Sequence, residues 1–309
     1  MADGSSSTRT RGVQPHHRRR RALALALVAA FAIVLIIGIA GGSGPSVAAH
    51  HASHGPMGFL ARIQALAGPG AGSFTVVEQS AESAAIDRTL AYTPYVRLAG
   101  AQHREIALTF DDGPGPYTPQ VLSILEREAV PATFFEVGVL ERYFHASTAE
   151  IVTDGYPIGD HTESHAPMSK LSARDQEAQL LKQTSQIGDY GAPFPRLFRP
   201  PYGLWNSTTL SLLHTYRMLM VLWTVDTDDY KGPGVGAIVD SVLSGARPGA
   251  IILLHDAGGD RSETVQALPR IIDGLRSRGY SLVTVPRLLL DNPAPANQSI
   301  PAGLAGGGG

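Results

Sequence analysis

The chain has 309 residues, 43% of them hydrophobic, enough to bury the core of one catalytic domain with appendages. Its net charge of −2 conceals an asymmetry: residues 1–21 hold six arginines against one acid, Asp3, leaving 19 basic and 26 acidic residues in the remainder. So acidic a body excludes nucleic acid as a partner, and the lack of cysteine excludes disulfides, thiolate metal sites and a cysteine nucleophile.

The basic tail, 1–21, runs into Ala22 to Ala40, 19 residues without a charge. As a helix this run would span roughly 28 Å, close to the hydrocarbon thickness of a bilayer. Residues 22–42 are therefore expected to anchor the chain, with the arginines in the cytoplasm and the rest outside. Val47-Ala48-Ala49 offers a cleavage site, so secretion after processing is the alternative. Glycine, alanine and serine dominate 43–101 with weak periodicity, which reads as a flexible spacer, and its histidines (His50, His51, His54) read as solvated. The catalytic domain is expected over 102–290 and a disordered tail over 291–309.

Within the domain, short apolar runs alternate with helical stretches, the pattern of βα units around a mostly parallel sheet. Strands are expected at 105–110, 132–137, 156–160, 196–199, 218–225, 250–254 and 281–285. Thr118-Pro119 marks a helix start, with Thr as the cap. Ser172 with Asp175 opens another helix, running through Tyr190, and Gly279 closes one that begins near Val265. About seven such units suggest an α/β fold, a distorted (β/α) barrel. An open doubly wound sheet is the alternative, but no glycine-rich phosphate fingerprint follows the first strand.

Five segments sit at or just after expected strand ends, the rim where barrel enzymes gather catalytic groups. They are T-F-D-D-G-P (109–114), H-T-E-S-H (161–165), R-P-P-Y-G (199–203), D-T-D-D-Y (226–230) and L-L-H-D (253–256). Adjacent carboxylates repel unless a cation sits on one and leaves the other free as a base. His161 and His165, four apart, can grip one ion together with such an aspartate. Two histidines and one carboxylate leave coordination positions open, as catalytic metals require.

The five motifs, in this order, resemble the polysaccharide deacetylase family, the fourth family of carbohydrate esterases, over roughly residues 104–287. The resemblance implies a distorted barrel of seven or eight units and metal-dependent hydrolysis of N-acetyl, sometimes O-acetyl, groups on polysaccharides. It assigns Asp112, His161 and His165 as metal ligands, the same set the chemistry favours. The donors suit Zn2+, and Co2+, Ni2+ or Mn2+ would also fit them. Asp111 is then the general base, oriented and kept ionised by Arg199. His255 suits the general acid, because imidazole titrates near working pH. Asp229 is its expected partner, with Asp226 and Asp228 as competitors. The resemblance further implies that the backbone N–H of Tyr202 donates to the oxyanion and that Leu253 packs beneath the acetyl methyl. One departure stands out: the family has Trp where this chain has Tyr230, which keeps an aromatic wall but reduces it. Asp160 is a further candidate, expected to hydrogen-bond a ligand histidine.

The expected substrate is N-acetylated amino sugar in peptidoglycan, the acetamido polymer nearest a bacterial-type anchor. Alternatives are a chitooligosaccharide deacetylase, an O-acetyl xylan esterase and, more remotely, a non-catalytic carbohydrate-binding protein. The sequence sets no oligomeric state.

Overall fold

A computed structural model describes Met1 and residues 76–300. The basic tail, the expected anchor at 22–42 and the first part of the expected spacer lie outside the described residues. Among the described residues no helix is long and apolar enough to cross a membrane.

The elements, in chain order, are α1 (Val76–Leu90), β1 (Tyr95–Val96), β2 (Glu105–Gly113), α2 (Thr118–Glu128), β3 (Thr133–Glu136), α3 (Gly138–Tyr143), α4 (His145–Thr153) and β4 (Ile158–Asp160). They continue with α5 (Ala173–Asp189), β5 (Leu197–Phe198), α6 (Ser207–Thr215), β6 (Leu219–Val221), β7 (Val225–Asp226), α7 (Val235–Gly245), β8 (Ala250–His255), α8 (Ser262–Ser277), β9 (Ser281–Val283) and α9 (Val285–Asp291). The strands form one curled sheet in the order β1-β6-β5-β4-β3-β2-β8-β7, with β9 also on β2. Every strand pair is parallel. The expected barrel therefore appears as a curled parallel sheet with helices packed on it. β6 continues into β7 within a few residues, and Leu98 bridges Ala250, so the two sides of the sheet approach each other.

Side chains alternate along each strand, so residues two apart share a face. On β2, Ile106, Leu108 and Phe110 pack with Val121, Leu125, Ile271 and Leu275 in the helical layer. Ala107 points the other way, into an interior cluster with Phe135, Val221 and Ile251. By that period Thr109 and Asp111 also face the interior. On β8 the interior face carries Ile251, Leu253 and His255, and Asp111 is the register partner of His255. Two strands thus bring an acid and an imidazole to the same level of the same rim.

Several expectations change. The expected strand 218–225 is two, β6 and β7, separated by Leu222–Thr224. Thr118 is the first helical residue rather than the cap of α2; Tyr117 precedes it without a side-chain cap bond. The Thr118 hydroxyl instead accepts the Gly115 N–H at 2.7 Å and donates to Asp256. Ser172 caps α5 through the Asp175 N–H as expected. The helix closed by Gly279 begins at Ser262, three residues before Val265.

The largest corrections concern the domain edges. Residues 76–101 are not spacer: α1 packs Ile86 into the interior cluster with Val285, Leu288 and Leu289 of α9, and β1 joins the sheet. The helix was hidden because its buried positions include small residues such as Ala85, which leave a faint apolar stripe. Nor is 291–300 loose. Asn292 accepts the His103 N–H at 2.6 Å, and the Gln298 side chain accepts the Arg97 and Leu98 N–H groups at 2.9 and 3.0 Å. Both ends of the domain are stitched to each other.

Candidate active site

The two aspartates of T-F-D-D-G-P reach the same cleft only because β2 is irregular. In a regular strand Asp111 and Asp112 would point to opposite faces. Here Asp111 pairs with Phe135 and Gly113 with Glu136, so Asp112 bulges out of the ladder. It adopts a left-handed backbone, φ 68°. A bulge re-aims one side chain in this way. Gly258 makes room for it: a Cβ there would lie 2.4 Å from Asp112 Oδ2.

His161 and His165 complete a three-donor cluster. Asp112 Oδ1 lies 3.5 Å from His161 Nε2 and 3.0 Å from His165 Nε2. The three donor atoms all fall within 4.8 Å of one another. His161 Nδ1 is 2.7 Å from the Arg199 carbonyl oxygen, so that nitrogen must carry the proton and Nε2 presents its lone pair to the cluster. Two imidazole nitrogens and a carboxylate oxygen, converging and oriented, fit a small divalent cation. Asp160 does not make the expected bond to a ligand histidine. Its Oδ1 accepts the Thr162 N–H at 2.6 Å and pins the loop backbone instead.

Arg199 is fully buried behind Asp111. Its Nη1 donates to Asp111 Oδ1 at 2.6 Å and to Thr109 at 2.8 Å, and its Nε donates to the Val221 carbonyl at 3.0 Å. The guanidinium stacks 4.0 Å from the Phe135 ring centroid. Asp111 Oδ2 is left facing the cleft, 3.9 Å from His161 Nε2.

Of the three candidate aspartates, Asp229 is the one bonded to His255. Its Oδ1 lies 2.6 Å from His255 Nδ1, and its Oδ2 accepts both the His255 N–H and the Thr264 hydroxyl at 2.8 Å. Asp228 pairs with Lys231 at 2.8 Å. Asp226 lines the cleft and accepts the Asp228 N–H at 3.0 Å. Burial depresses the His255 imidazolium, but the bond and charge of Asp229, with Asp111 and Asp112 beyond, prevail and raise it to about 9.

These groups surround a cleft of about 660 Å³ lined by Asp111, Asp112, His161, His165, Tyr202, Tyr230, Leu253 and His255. Arg199 and Asp229 sit one layer behind, each bonded to a lining residue. Tyr230 meets the His255 ring edge-on at 5.3 Å. Sequence reasoning missed Trp223, Val139 and Arg261 in the cleft wall, and Thr264 behind Asp229. Arg261 and Thr264 follow L-L-H-D closely in the chain, whereas Trp223 and Val139 lie outside the five motifs and gave no local signal.

A polysaccharide deacetylase family model matches residues 99–221. A chitooligosaccharide deacetylase from Sinorhizobium fredii is 37% identical over 213 residues, covering 65% of this chain and 99% of that protein. The chain belongs to the polysaccharide deacetylase family. A peptidoglycan-N-acetylglucosamine deacetylase from Bacillus cereus is 39% identical to this family member over 187 residues, 60% of this chain and 87% of its own. Among solved structures, the Bc1960 peptidoglycan N-acetylglucosamine deacetylase superposes with a TM-score of 0.63 at 31% identity, covering 68% of this chain and 97% of that one. The matched region covers 99%, 87% and 97% of these three relatives' own lengths.

Proposed function

We propose that this family member removes N-acetyl groups from an amino-sugar polymer outside the cell, with peptidoglycan as its substrate and a divalent cation, Zn2+ first, held by Asp112, His161 and His165. The observation that carries this reading is the in-register placement of Asp111 opposite His255, beside the three-donor cluster. When bound, the cation supplies Lewis acidity toward the acetyl carbonyl and acidity to water.

The chain's own groups do the rest. Asp111 Oδ2, the oxygen Arg199 leaves open, accepts a proton from the attacking water. The Tyr202 N–H donates to the oxyanion as the carbonyl becomes tetrahedral. Its backbone is left-handed at φ 59°, between Pro200-Pro201 and Gly203, which fixes the direction of that N–H. His255, protonated and held through Nδ1 by Asp229, gives its Nε2 proton to the amide nitrogen as the C–N bond breaks. Acetate and a free amine leave. Leu253 and Tyr230 flank the place of the acetyl methyl.

Two features support peptidoglycan: the relatives that act on it, and the basic, apolar N-terminus expected to tether residues 22–42 in a membrane with the domain outside. The Sinorhizobium relative favours chitooligosaccharide as the second reading. The test is acetate release by the purified protein on peptidoglycan, chitooligosaccharides and acetylated xylan, before and after chelation and with Zn2+, Co2+, Ni2+ or Mn2+ restored. Peptidoglycan should be preferred and chelation should abolish release. Full activity after exhaustive chelation would refute the cation's role.

A further inference from the structure

The two histidines of the donor cluster are held in very different ways. The His161 side chain is almost fully enclosed, 3% exposed, and its Nδ1 faces a backbone carbonyl that no substitution can remove. The His165 side chain is 25% exposed, on a backbone left-handed at φ 56°. Its Nδ1 lies 3.1 Å from the Tyr202 hydroxyl, and the two rings meet edge-on with centroids 4.6 Å apart. The Tyr202 side chain in turn stands at the cleft mouth, in a residue 62% exposed.

We infer that the Tyr202 hydroxyl is a positioning group for the metal site: it accepts the His165 Nδ1–H and so leaves Nε2 as the ligating nitrogen, aimed toward Asp112 and His161. The inference rests on the cation reading above. An imidazole ligates through one nitrogen only if the other carries the proton, and a fixed acceptor on that proton selects both tautomer and ring orientation. For a half-open ring with solvent on one side, no enclosing wall does this, and Tyr202 is the group in place. One residue then serves two ends of the site, its N–H toward the acetyl oxygen and its hydroxyl toward a ligand. The R-P-P-Y-G turn thereby couples the substrate rim to the donor cluster.

The experiment titrates metal-free full-length protein with Zn2+ in competition with a chromophoric chelator, for wild type, Tyr202→Phe and Tyr202→Ala. Loss of an outer-shell hydrogen bond typically weakens metal binding 10–100-fold, so Tyr202→Phe should bind Zn2+ about tenfold more weakly. Tyr202→Ala should be weakened at least as much, and the unfolding midpoints of the metal-free proteins should coincide. A Tyr202→Phe affinity within twofold of wild type overturns the inference, and if only Tyr202→Ala is weakened, ring packing replaces it. No zinc uptake by the wild type would overturn the cation reading and this inference together.

Discussion

Asp111 and His255 occupy equivalent register positions on adjacent strands, and their environments are opposite. Arg199 donates to one, and Asp229 accepts from the other. Asp229 thereby biases His255 toward imidazolium, and in the proposed mechanism His255 gives a proton while Asp111 takes one. Replacing Asp111 by Asn removes the acceptor but little volume. Turnover should fall by at least a hundredfold, within the range for general-base loss, with bound metal unchanged; a wild-type rate would remove Asp111 from the mechanism. For His255 the sign follows from its raised pKa. Donation requires the protonated ring, so activity falls as pH rises through the His255 pKa, about 9 without a bound cation. Asp229→Asn withdraws the bond and charge that raise it, and the alkaline limb of kcat/KM should move to lower pH by about one unit or more. An unmoved limb would mean that another group sets it.

At the level of elements, the site depends on local departures from regular geometry. Asp112, Thr162, His165 and Tyr202 all have positive φ, between 56° and 69°, which is uncommon away from glycine. Such conformations persist where surrounding bonds over-determine them. Here Gly138 and Val139, opening α3, donate to the carbonyls of Thr162 and Glu163, and Asp160 takes the Thr162 N–H. Gly258 matters on the opposite side of Asp112. Its φ is 75°, and an alanine Cβ would meet the Asp112 carboxylate. Gly258→Ala should therefore displace Asp112, lowering metal occupancy and activity together while the circular-dichroism spectrum stays native. Normal metal content in that variant would show that the loop yields instead.

The whole molecule carries a store of buried acid. Burial pushes the Glu141 carboxyl up to about 8, against the bond from Gln183, and raises Glu136 and Asp160 as well. A carboxyl whose folded pKa is raised stabilises the protein below its unfolded pKa, and that contribution is lost as pH rises through the folded value. For Glu141 the window runs from 4.5 to about 8, with a slope of up to roughly 1.4 kcal/mol per pH unit. Glu141→Gln, which is neutral at every pH, should flatten the decline in unfolding midpoint between pH 5 and pH 8. Parallel curves for the two proteins would contradict this. The stitched termini yield a second expectation at this scale. A fragment of residues 102–290 lacks α1, β1 and the 291–300 segment, and so uncovers Leu288 and Leu289. At about 1.5–3 kcal/mol per large aliphatic side chain it should be several kcal/mol less stable than 76–300, read as a lower urea midpoint.

Much of this was legible in the chain. The apolar run before Asp111, the alternation of strands and helices, the Ser172 cap and the Gly279 stop all follow from local chemistry: side-chain period, capping and backbone freedom belong to a few neighbouring residues. So do the five motifs and the family they indicate, because their residue types at fixed spacing carry the chemistry whatever surrounds them. Tertiary structure alone decided that Asp229, rather than Asp226 or Asp228, meets His255, that Asp112 bulges to join Asp111 in one cleft, and that Asp160 serves a backbone amide. It also drew 76–101 and 291–300 into the domain, through small buried side chains and single amide bonds to distant backbone. Such contacts join residues up to about two hundred positions apart, and no local pattern encodes a partner that only the folded sheet brings near.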